Sequence, residues 1–60
     1  MKQEIAKYVE DNGPIKATDL CLWVEGNYHL STYKAPAAIR RTLFNGLIKT
    51  NDRLQFIGVK

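Results

Sequence analysis

Ala35-Pro36-Ala37-Ala38-Ile39-Arg40-Arg41-Thr42-Leu43-Phe44-Asn45-Gly46-Leu47-Ile48-Lys49-Thr50-Asn51-Asp52-Arg53-Leu54-Gln55-Phe56 changes its apolar period half-way along. Before Gly46 the spacing is helical. At 100° per residue, Ala35, Pro36, Ile39 and Leu43 gather on one side. Lys34, Ala37, Arg41 and Asn45 point the opposite way, with Arg40 and Thr42 on the flanks. Pro36 belongs in the first turn, because deeper in the helix it costs about 3 kcal/mol. Asn45-Gly46 ends the helix, with Gly46 as its left-handed C′ residue. Beyond it the period drops to two. Ile48 and Thr50 alternate with Lys49, and Leu54 and Phe56 alternate with Arg53 and Gln55, around a turn at Asn51-Asp52. A three-residue loop, Asn51 to Arg53, pairs Thr50 with Leu54 and Ile48 with Phe56 and so aligns the apolar sides. It asks Arg53 to adopt the left-handed conformation. A two-residue turn would mismatch the faces.

Upstream, Ile5, Tyr8 and Val9, with Met1 one turn earlier, mark an amphipathic helix from Lys2 to Asp11 that Asn12-Gly13-Pro14 stops. Pro14 to Ala17 is too short for a helix and reads as an extended stub. Thr18 offers an N-cap hydroxyl to a second helix, and Asp19 a carboxylate for its first turn. Leu20, Trp23 and Val24 form its apolar stripe, which Gly26-Asn27 would end. Tyr28 to Tyr33 is then a connector with Ser31 and Thr32 as turn or cap candidates. The expected core is Ile5, Val9, Leu20, Val24, Ile39, Leu43, Ile48 and Phe56, with Trp23 and Tyr8 filling the interior. Phe44 falls off the core side, either under the hairpin or in an exposed patch.

Sixty residues make one small domain, marginal in the surface it can bury. A single cysteine, Cys21, permits no disulfide within the chain, and with His29 as the one histidine no structural zinc site is expected. Cys21 reads as a small buried hydrophobe and His29 as a plain loop residue. The 45% hydrophobic and 25% charged composition is that of a globular protein. No apolar run approaches the roughly 20 residues of a membrane span. These features lead to the expectation of a reduced, cytoplasmic domain, with no cofactor and no small-molecule substrate. No phosphate loop, metal-ligand cluster or catalytic carboxylate pair is apparent, so a binding module is expected rather than an enzyme.

Charge is segregated. Residues 1–30 set three lysines against five carboxylates, a balance of −2, whereas residues 31–60 set six cations against Asp52 alone, a balance of +5. Such asymmetry suggests one face aimed at a polyanion.

The order helix, extended stub, helix, helix, hairpin resembles the winged-helix domain, a helix-turn-helix variant with a β-wing. Three stretches carry the resemblance: Gly13 to Leu20 as first strand into helix 2, Ile39 to Leu43 as the core-plus-basic part of a recognition helix, and Gly46 to Leu54 as helix stop, strand and wing. It implies an α+β domain over residues 1–60: a three-helix bundle with an N-terminal stub and a C-terminal wing. It also implies double-stranded DNA as partner. Lys34, Arg41 and Asn45 would read the major groove, with Ala37 as the close-approach residue. Thr32, Tyr33 and Arg40 would grip phosphates, and Lys49 and Arg53 on the wing would reach the flanking backbone or minor groove. One copy this small makes few base contacts, which implies a homodimer, tandem sites or DNA bending. The alternative is an adaptor or inhibitor that binds protein on the same scaffold, with Phe44 in its interface.

Overall fold

The computed structural model describes residues 2–59; Met1 and Lys60, used above for the first stripe and the charge balance, lie outside them. Its elements are α1 (Lys2–Asn12), β1 (Ile15–Lys16), α2 (Ala17–Tyr28), α3 (Lys34–Phe44), β2 (Ile48–Thr50) and β3 (Gln55–Gly58). The fold is α+β, three helices and a three-stranded antiparallel sheet in the order β1-β3-β2. The stub at Ile15–Lys16 is thus a strand. Ile15 pairs with Phe56 and Lys16 with Gln55, on the edge of β3 that β2 leaves open. A two-stranded hairpin alone is marginal, and this third strand helps to make a stable sheet.

The approach to β1 requires glycine. Gly13 donates its N–H to the Val9 carbonyl at 2.7 Å, and a Cβ at Gly13 would sit 2.6 Å from that same oxygen. Ile5 and Val9 of α1, Ile15 of β1, Leu20 and Val24 of α2, Ala35 and Ile39 of α3, and Ile48 of β2 form one buried core.

Several expectations are corrected. Thr18 is not the cap of α2: the cap position falls two residues earlier, on extended Lys16, with no side-chain cap. Nor do Gly26 and Asn27 stop α2, which runs on to Tyr28 and ends at His29 in the left-handed conformation (φ 55°). Tyr28 meets Trp23 edge to face at 5.8 Å, and that packing outweighs the roughly 1 kcal/mol propensity cost of Gly26. Trp23 and Tyr8 stack on each other at 4.0 Å and are half-buried at the core's edge rather than inside it. Rings this large rarely disappear fully, least of all in so small a domain.

Helix α3 is turned about its axis by roughly 50° from the expected phase. Ala35, Ile39 and Thr42 face inward, Pro36 is exposed, and Leu43 is half-buried against the core. Thr42 tolerates complete burial because its hydroxyl donates to the Ala38 carbonyl at 2.9 Å, leaving its methyl for the core.

The hairpin keeps a three-residue loop but places it one residue later. The pairs are Thr50 with Phe56, Lys49 with Ile57 and Ile48 with Gly58, not Thr50 with Leu54 and Ile48 with Phe56. Asn51 decides this: its Oδ1 accepts the N–H groups of both Arg53 and Gln55, each at 2.9 Å. The left-handed residue is therefore Leu54 (φ 60°) rather than Arg53, and Leu54 leaves the apolar face for the hairpin tip. A register change of two preserves which side chains face inward. Ile48 stays buried, while Phe56 is half-buried against the core rather than in it.

Candidate nucleic-acid interface

The outward side of α3 is assembled from both its ends. At the start, the Ser31 carbonyl accepts the N–H groups of Lys34 and Ala35 at 3.1 Å, and its hydroxyl accepts that of Lys34 at 3.3 Å. Ser31 is thus the residue that closes the connector, and it leaves Thr32 and Tyr33 exposed in the turn. No carboxylate occupies the first turn of α3; Lys34 stands there instead. Near the positive end of the helix dipole a lysine gains nothing from the helix itself, but both attract an anion. At the far end Gly46 (φ 75°) donates to the Leu43 carbonyl and Leu47 to that of Thr42, a Schellman arrangement that stops the helix.

Between these ends Lys34, Ala37, Arg40 and Arg41 are all exposed. Their phase brings Tyr33, Ala37, Arg40, Arg41 and Phe44 onto the side opposite Ala35, Ile39 and Thr42. Phe44 is 79% exposed and does not pack under the hairpin, and Tyr33 is 89% exposed. Asn45 is exposed too, but its amide donates to the Arg41 carbonyl at 2.7 Å and so caps the last turn. The sequence had placed it both at the end of the helix and among the base-reading residues.

On the hairpin, Lys49 and Arg53 are exposed as expected. The structure adds Lys16, which sequence reasoning left out of the site. By the alternation of the paired strands, Lys16, Gln55, Ile57 and Lys49 share the sheet's outer face. The extended stub was legible, but the strand it pairs with was not.

Five of the six carboxylates lie elsewhere, on α1 (Glu4, Glu10, Asp11) and α2 (Asp19, Glu25); the sixth, Asp52, is at the hairpin tip beside Arg53. Lys7 on α1 pairs with Asp11 at 3.3 Å, and among the described residues none of Lys34, Arg40, Arg41, Lys49 and Arg53 is drawn into an ion pair. Cys21 is half-buried, and burial with the nearby Glu25 carboxylate pushes its thiol pKa up, away from the reactive thiolate. Burial and the Glu4 carboxylate, which hydrogen-bonds to it, raise that of Tyr28. His29 serves as the C-cap of α2. Among the described residues no group of three His, Cys, Asp or Glu side chains could hold a metal ion, and no helix is long and apolar enough to cross a membrane.

Compared with known proteins, the chain matches no family model, no curated protein and no solved structure.

Proposed function

We propose that this chain is a small winged-helix protein that binds double-stranded DNA, with α3 in the major groove and the β2–β3 hairpin on the backbone. The observation that carries this reading is the segregation of exposed charge. Five cations stand outward on α3 and the hairpin, free of ion pairs among the described residues, while most carboxylates lie on α1 and α2. The element order and the C-terminal hairpin support the same reading. Arg41 forks onto guanine, and Ala37 and Phe44 offer apolar contact to thymine methyl groups. Arg40, Lys34 and the exposed Thr32 and Tyr33 hold phosphates, with Lys49 and Arg53 gripping the flanking backbone. The role is that of a transcriptional regulator or architectural factor in the cytoplasm, binding rather than catalysis, with no cofactor.

The test is fluorescence anisotropy with a labelled random duplex in a salt series. If the five cations each neutralise one phosphate, the slope of log K against log salt is about −4.5, a loss of ~500-fold between about 50 and 200 mM. Affinity that ignores salt would overturn the proposal.

A second reading rests on Tyr33 and Phe44, both largely exposed on the outward side of α3. Aromatic and arginine side chains together are what protein interfaces enrich, so a protein partner on the same face is the alternative.

A further inference from the structure

Leu54 is costly to the isolated chain twice over. It holds a left-handed backbone (φ 60°), where glycine or asparagine is the ordinary choice, and it is 79% exposed at the hairpin tip. The tip is nonetheless well organised. Leu54 donates its N–H to the Asn51 carbonyl at 3.1 Å, and the Asn51 side chain holds the residues on either side of it. A large apolar side chain displayed in a strained, fixed conformation implies something that receives it.

The same molecule also carries a groove of suitable size. Ala17 and Cys21 of α2, Ile39 and Leu43 of α3, and Phe56 of β3 line an apolar groove of about 220 Å³, with the exposed Arg40 at its edge. An apolar cavity of about 150 Å³ already accepts a benzene-sized group, so a leucine side chain fits. Charge matches as well: Asp52, the carboxylate of the hairpin tip, lies two residues from Leu54 and complements Arg40.

We propose that two copies of this chain associate by exchanging hairpin tips, Leu54 of each entering the groove of the other and Asp52 pairing with Arg40. Phe56, a wall of the groove, is two residues along the chain from Leu54. Knob and hole thus adjoin along the chain, which suits a closed two-fold dimer rather than an open filament. The proposal does not depend on DNA binding, and it uses Arg40 for a carboxylate instead of a phosphate.

Sedimentation equilibrium without nucleic acid, up to about 1 mM protein, should show a monomer–dimer equilibrium that Leu54→Ala weakens by about ten- to a hundred-fold. Leu54→Gly, which suits the left-handed position, should weaken it equally and shows that loss of association is not loss of the hairpin. Asp52→Arg and Arg40→Asp should each weaken the dimer, and the double variant should restore it. Cys21 is a built-in reporter: mild oxidation of Leu54→Cys should link position 54 of one copy to Cys21 of another, identified by peptide mass. A wild-type chain that stays monomeric, a dimer indifferent to Leu54, or a link formed within one chain would each overturn the proposal.

Discussion

Thr42 sets the phase of α3, and a pair of substitutions there measures it. Its side chain is completely buried, with the hydroxyl turned back onto the Ala38 carbonyl and the methyl in the core. Thr42→Ser keeps the hydroxyl and deletes the methyl. That forfeits about 0.8 kcal/mol of transfer free energy. A residual cavity of roughly 25 Å³ adds about 0.6 kcal/mol at ~24 cal/mol per Å³. A loss of about 1.4 kcal/mol lowers the melting temperature of so small a domain by roughly 6–11 °C. Thr42→Val does the converse. It gives up a hydrogen bond of about 1 kcal/mol net but adds a buried methyl of similar worth. The Ala38 carbonyl keeps its main-chain helical partner, so no acceptor is orphaned, and valine should melt within about 5 °C of the parent. Thermal unfolding followed by far-ultraviolet circular dichroism reads both. If serine melts like the parent, Thr42 lies on an exposed flank, where substitutions cost within about 0.5 kcal/mol, and the rotated helix is wrong. Arg40 would then return to the flank of the helix, with Arg41 still outward.

Arg41→Ala should flatten discrimination between duplexes by about 1–3 kcal/mol at one base pair, whereas Lys49→Ala should weaken all duplexes alike and reduce the salt slope by about one. Anisotropy titrations of both variants check the difference, and an unchanged affinity in the double variant at low salt would favour the protein-partner reading. Phe44→Ala should leave the melting temperature within a few degrees of the parent, since the ring is 79% exposed, while weakening capture of whichever partner α3 engages. Cys21 should alkylate more slowly in the folded chain than in urea at pH 8, because burial and Glu25 raise its thiol pKa. The linked stability is present below the unfolded thiol's pKa and fades as pH climbs through the raised one, so high pH should lower the melting temperature.

Interactions spanning a few residues were legible in the sequence by itself. Ile5, Tyr8 and Val9 declared α1, Gly46 declared the end of α3, and the alternation around Ile48 and Phe56 declared a hairpin, because each depends on spacings of two to five residues. The placement of the outward cations on α3 followed from the same helical period and survived a 50° error in phase, since a face of exposed residues is broader than that error. What joined distant residues was decided only by tertiary structure. The strand at Ile15–Lys16 needed β3, some forty residues later, to satisfy its backbone, and only that pairing put Lys16 on the same sheet face as Lys49. Tyr28 packing on Trp23 carried α2 past Gly26, against local propensity. The inward turn of Thr42 depended on which side of α3 the other core elements cover, and no periodicity within eleven residues contains that information. The hairpin register lies between these cases. Asn51 held the deciding chemistry locally, but which apolar residue would remain at the tip was settled when β3 was drawn in to meet both of its neighbours.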